Sequence, residues 1–148
     1  MNGRDARIFS AAAELAEGPA SVARLGKALL LCRNAGIRAH AASALGESGC
    51  LSAYAWLRKA LWDRDEEVRA RVVDAVGRLR IAQSAGELAA VFAYASPRVR
   101  RLIVRAARRI GRAAEFSGLL RIAEDDRDRG VRALARAART RSAAGRGA

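Results

Sequence analysis

An apolar residue followed by an arginine returns every 31 or 32 residues along this chain, as Ile37-Arg38, Val68-Arg69, Val99-Arg100 and Val131-Arg132. In the first two copies the frame continues through Ala41, Ala44, Leu45 and Gly46, and through Val72, Ala75, Val76 and Gly77. Offsets of 0, +4, +7 and +8 share one face of a helix at about 3.6 residues per turn. A period of this length in helical segments means stacked units, each burying a face against the next. The surface left for a partner is then long and continuous and is not a single pocket.

Composition fits that architecture. The 36 alanines favour helix and allow helices to approach closely. With two prolines and 5% aromatic residues, the core must be built from Leu, Val, Ile and Ala. The expected class is all-α, and a length of 148 residues suits a single domain, 1–148. No stretch approaches the roughly 20 apolar residues of a membrane span. The start, MNGRDARIFSAAAELAEG, lacks an apolar signal core. A soluble, cytoplasmic protein without membrane contact is expected. Cys32 and Cys50 have no ligand partner nearby and read as reduced core thiols in preference to a disulfide or metal site.

The spacing predicts about nine helices: 4–17, from Pro19 to about Cys32, and then near 36–46, 50–62, 66–80, 84–95, 97–112, 115–124 and 128–143. Gly18-Pro19 breaks the first, and Pro19 suits the opening turn of the second. Asp65, Ser96 and Asp128 each stand where a side-chain oxygen can accept from the free N–H groups of the helix that follows. Of the two tryptophans, six residues apart, one belongs to the core and Trp62 falls at an exposed turn. The last residues, 142–148, are small and basic and are expected to fray.

The stretch Ala60-Leu61-Trp62-Asp63-Arg64-Asp65-Glu66-Glu67-Val68-Arg69, continuing to Ala75-Val76-Gly77, resembles the HEAT-like repeat of the phycobilisome lyase type. The resemblance covers roughly residues 20–140 and implies an α-solenoid of about 4.5 stacked helical hairpins. It implies that helices 36–46, 66–80, 97–112 and 128–143 line the concave face. It also implies a structural ladder in which Arg69 bonds the turn of Asp63 and Asp65, and Arg132 the turn of Asp126 and Asp128. Two copies depart from the pattern. Gly111 comes 34 residues after Gly77, which predicts a third inner helix one turn longer, and Arg139 and Thr140 stand where the fourth copy should have Leu and Gly.

Charge is unevenly placed. The net charge is +13, with 26 arginines and two lysines against 15 acids. Residues 1–74 hold eleven basic and nine acidic side chains, whereas residues 75–148 hold seventeen arginines and six acids. Helix 97–112 carries seven arginines and no acid. Arg101, Arg105, Arg108 and Arg112 lie roughly opposite its core stripe of Val99, Ile103, Ala106 and Ile110. Arg129, Arg132, Arg136 and Arg139 form a second row, rotated by about 100° from the first. A genome rich in G and C also yields arginine, and a charged helix face is usually just solvated. Composition alone does not, however, empty one helix of acids while the first half stays balanced.

A strip of one sign attracts acidic protein surfaces or polyanions, and arginine pairs two-pronged with carboxylate and phosphate. The candidate partner-binding residues are Arg101, Arg105, Arg108, Arg109, Arg112, Arg136 and Arg139. No aromatic residue occurs between Tyr94 and Phe116, which argues against single-strand nucleic acid binding by base stacking. Duplex binding through phosphates needs no aromatics and stays open.

Catalytic constellations are sparse. His40 is the only histidine. Asp126-Arg127-Asp128-Arg129-Gly130 fails as a calcium loop, because its glycine comes one position early and Ala137 stands where a bidentate Glu is needed. Asp74 is the one carboxylate expected on the concave side of helix 66–80, and it lacks the aromatic companion of a HEAT-like alkyl-base glycosylase. The expected function is therefore a non-enzymatic scaffold or adaptor, without cofactor or metal, that binds an acidic protein partner through a basic, mostly C-terminal concave surface. Duplex nucleic-acid binding by the same strip is the alternative.

Overall fold

The computed structural model describes residues 19–144, with the side chains of 113 and 141–144 left aside. The expected helix 4–17 and most of the 142–148 tail lie outside the described residues. Eight α-helices follow in order: α1 (Pro19–Leu31), α2 (Ala35–Glu47), α3 (Tyr54–Ala60), α4 (Glu66–Arg78), α5 (Ala85–Tyr94), α6 (Pro97–Ile110), α7 (Ala113–Glu124) and α8 (Arg129–Ala144). Short 3₁₀ turns, Leu51–Ala53 and Ala82–Ser84, lead into α3 and α5. No strand occurs among the described residues. The chain is an all-α solenoid, as the period requires.

Local chemistry sets the boundaries. Asp65 Oδ1 accepts from the backbone N–H of Glu67 and Val68 at 2.9 and 3.2 Å, Ser96 Oγ from Val99 at 3.3 Å, and Asp128 Oδ1 from Val131 at 2.9 Å. Asn34 caps α2 in the same way, accepting from Ile37 at 3.3 Å. Each bond satisfies a donor that the first helical turn cannot pair internally. Gly111 ends α6 in the left-handed region, at φ 76°. The third inner helix is consequently only one residue longer than α4, 14 against 13, and not a full turn longer as the glycine spacing suggested.

The even-numbered helices form a continuous row in which α4 packs on α2, α6 on α4 and α8 on α6. The odd-numbered helices cover its other side and meet one another less extensively. Glycine sets the spacing of the even row. A Cβ on Gly46 would lie 2.7 Å from both Cα and Cβ of Ala75, and one on Gly77 would lie 3.0 Å from Cα and Cβ of Ala106. At Gly46 only hydrogen fits, and at Gly77 a methyl group would need Ala106 to give by a few tenths of an ångström. Between the rows lies one apolar core that includes Leu25, Leu29, Leu45, Leu57, Val68, Val72, Val76, Leu88, Ile103, Phe116 and Val131. Trp56 packs onto the core over Gly26, where a Cβ would fall 2.0 Å from its ring. A solenoid whose even row packs more closely than its odd row curves toward the even row.

Cys32 and Cys50 are free thiols and half-buried, so neither lies wholly in the core. His40 sits on the exposed surface of α2, with its ring Nδ1 2.9 Å from the Gly36 carbonyl oxygen.

Candidate partner-binding surface

The arginines divide into those bonded within the fold and those open to solvent. The ladder set comes first, because it opens each even helix. Arg38 is 4% exposed. Its Nε and Nη2 donate to Oδ2 and Oδ1 of Asp63 at 2.8 and 2.9 Å, and its Nη1 to the carbonyls of Cys32 and Arg33, both at 3.0 Å. Arg100 makes the corresponding pair with Asp126, with Nη2 donating to Oδ1 at 3.0 Å and Nε 2.8 Å from Oδ2 without the alignment of a hydrogen bond, and lies over the Phe92 ring. The carboxylates of these turns are therefore held by the arginine of the preceding repeat. Arg69 and Arg132, to which the resemblance assigned those turns, donate only to backbone carbonyls: Arg69 Nη1 to Asp63 at 2.6 Å, and Arg132 Nη1 to Asp126 and Arg127 at 2.7 and 2.9 Å.

Sequence reading missed Arg38 and Arg100 as the pairing residues, although both belong to the periodic dipeptide. A partner 25 or 26 residues away leaves no local signal. Burial pushes the Asp63 carboxyl up, but the bonds from Arg38, the Asp65 N–H and the charges of Arg38 and Arg64 outweigh it and hold the group below the usual carboxylate range.

The predicted binding arginines fare unequally. All seven are exposed. Arg101, however, is committed to Asp128, with Nε 2.9 Å from Oδ1 and Nη2 2.8 Å from Oδ2, and lies so close over Gly130 that a Cβ there would meet its Nε at 2.8 Å. The bond from Arg101, joined by the Val131 N–H, holds the Asp128 carboxyl far below its ordinary value. Arg109 reaches Asp74 at 3.1 Å, and Arg139 reaches Glu124 at 2.5 Å. Arg105, Arg108, Arg112 and Arg136 have no acidic partner among the described residues.

Arg112 stands beyond the left-handed Gly111, as the residue before α7, so it leaves the helical stripe that spacing alone gave it. Arg105 on α6 stands six residues after Val99, whereas Arg136 on α8 stands five after Val131, so the two are exposed on neighbouring even helices but one residue, roughly 100°, out of register. The position equivalent to Arg105 on α4 is Asp74, paired with Arg78 at 2.7 Å and with Arg109. An acid thus neutralises this position on α4, whereas Arg105 on α6 is left without one. Among the described residues no group of three or more His, Cys, Asp and Glu side chains could hold a metal ion. Asp126 and Asp128, the two acids of the rejected calcium loop, are used up in bonds to Arg100, Arg101 and backbone N–H groups.

Residues 22–93 and 63–139 match the family of HEAT repeats, and the chain belongs to that family. Among solved structures, the complex of CpcE and CpcF of phycocyanin lyase from Nostoc sp. PCC7120 has the same fold, with a TM-score of 0.73 at 20% identity over 94% of this chain. The chain spans 59% of the length of the chain it matches there. No curated protein matches.

This similarity corrects the expectation of a non-enzymatic chain, since the solenoid is one from which a lyase is built. The missing histidine cluster and calcium loop exclude only the chemistries that need those groups. No helix among the described residues is long and apolar enough to cross a membrane.

Proposed function

We infer that this solenoid is a scaffold or adaptor that holds an acidic protein partner on the C-terminal part of its concave, even-helix wall. The observation that carries the reading is that Asp74 is neutralised while Arg105 and Arg136, exposed on adjacent even helices, are left without acids. Two exposed guanidinium groups on adjacent helices, with Arg108 and Arg112 nearby in the chain, present fixed positive charge that an acidic surface neutralises. A net charge of +13 adds long-range attraction. The similar lyase structure is a complex of two proteins, which supports a protein partner for this chain as well. The whole chain acts as one domain in this reading, in the cytoplasm. Holding a partner in this way is compatible with catalysis on it.

The test is capture from native lysate with and without nuclease, by the wild type and by Arg105→Glu/Arg136→Glu. Expected is a nuclease-resistant protein partner that the variant loses at an unchanged melting temperature. Full capture by the variant would return these arginines to a solvated face. Capture that nuclease abolishes would instead favour duplex nucleic acid, whose log affinity falls with log salt at a slope near −0.9 per phosphate contacted, about −4 for four contacts.

A further inference from the structure

Every even helix opens with a ladder arginine anchored in the same way. Nη1 of Arg38, Arg69, Arg100 and Arg132 each donates to a carbonyl of its own turn, at 3.0, 2.6, 2.6 and 2.7 Å. This anchor leaves Nε and Nη2 directed at the turn of the next repeat. At the first junction both donate to Asp63, and at the third Nη2 donates to Asp126 while Nε lies in ion-pair contact with it. At the middle junction the corresponding residue is Tyr94, 31 after Asp63, and Arg69 has no acidic partner among the described residues. Arg69 is only half-buried, so that side of the guanidinium opens to solvent at the edge of the solenoid.

Two aromatic side chains rim the same edge. Tyr94 is 84% exposed and Trp62 55% exposed, with ring centroids 6.2 Å apart and planes tilted by 54°. Large exposed aromatics beside an arginine are the residue types that carry binding energy in protein interfaces.

We propose that the gap in the ladder at Arg69 is a docking site for the carboxylate of an acidic side chain on a partner protein, with an apolar neighbour of that side chain covering Trp62 and Tyr94. The fold itself names the ligand chemistry, since both equivalent positions are filled by aspartate carboxylates, bonded through Nε and Nη2 at Asp63 and through Nη2, with Nε in ion-pair contact, at Asp126. A carboxylate matches the spacing of that planar fork. The site lies at the turn edge, apart from Arg105 and Arg136, and stands independently of them.

The probe is an acetylated Leu-Asp-Leu-Glu-Leu amide peptide, with Leu-Asn-Leu-Gln-Leu as its uncharged counterpart, titrated into the ¹⁵N-labelled full chain. The acidic peptide should shift the Arg69 Nε–H and Trp62 indole N–H signals saturably, and the uncharged peptide should not. Arg69→Lys keeps the charge but loses the fork, and should weaken binding at least tenfold. Tyr94→Asp supplies the missing carboxylate internally, so it should abolish peptide binding while raising the melting temperature. Arg105→Glu/Arg136→Glu should bind the peptide as the wild type does, which separates this site from the concave wall. Equal binding by Tyr94→Asp, equal shifts with the uncharged peptide, or no shift at millimolar acidic peptide would each overturn the proposal. So would duplex DNA shifting these two signals in place of the acidic peptide.

Discussion

Arg38 is buried in a chain whose arginines mostly face water. It is kept there by four bonds, and removing it strands the half-buried Asp63 carboxylate. Arg38→Ala should therefore cost about 3–5 kcal/mol, as loss of one partner of a buried pair does. Arg69→Ala, which removes one bond to a backbone carbonyl, should cost about 1 kcal/mol. Urea denaturation of the two variants checks the order, and equal losses would deny Arg38 its structural role.

The same pair fixes an acid limit. Because Asp63 titrates lower folded than unfolded, its stabilisation is complete above the unfolded carboxyl value of about 3.9 and disappears as pH falls through the folded one. Melting temperature should hold from neutral pH to about 5 and decline below about 4, with a shallower decline in Asp63→Asn. Glu67, held low mainly by its bond to Arg98, adds to the same limb. The identity of the ladder arginines was legible in the sequence, but not their pairing. A local reading assigns each acid to the arginine six residues after it, whereas burial selects the one 25 or 26 before.

At the scale of elements, caps were readable because their chemistry is local, as Asp65, Ser96 and Asp128 show. The 3₁₀ turns before α3 and α5 and the left-handed Gly111 were not. They follow from how the odd helices must turn to reach the core, and no residue within Leu51–Ala53 or Ala82–Ser84 announces it. Gly46 is where a helix depends on its neighbour most directly. Gly46→Ala should force α2 from α4 and cost about 1–3 kcal/mol, since the atoms in the way include the Ala75 backbone. Gly86→Ala, which meets nothing within 4 Å, should be neutral or stabilise by up to about 1 kcal/mol. Thermal melts of both variants separate packing from helix propensity.

At the scale of the molecule, each hairpin is stable only through its neighbours, so damage in the middle reaches both ends. Val72 is fully buried on α4, between α2 and α6. Val72→Asp should cost at least about 3 kcal/mol and abolish a single cooperative melt followed by circular dichroism. An unchanged melt would place this face outside the core. The overall architecture was legible because a period states it outright. The candidate surface was legible only in part, because exposure follows from helix faces while ion pairing depends on which helices become neighbours, as Arg101 and Arg105 show.

The stacking interface also bears on how long such an array can be. Ala75 precedes Ala106 by the same 31 residues that separate Asp63 from Tyr94. A second copy of residues 63–93, inserted after Ala93, would offer Ala75 to the Gly77 before it and Asp63 to the Arg69 before it. The middle hairpin is thus self-complementary and can be propagated, whereas the junction of α6 with α8, reached by a 32-residue step and with Arg108 where α2 and α4 have glycine, is not a copy of the two before it.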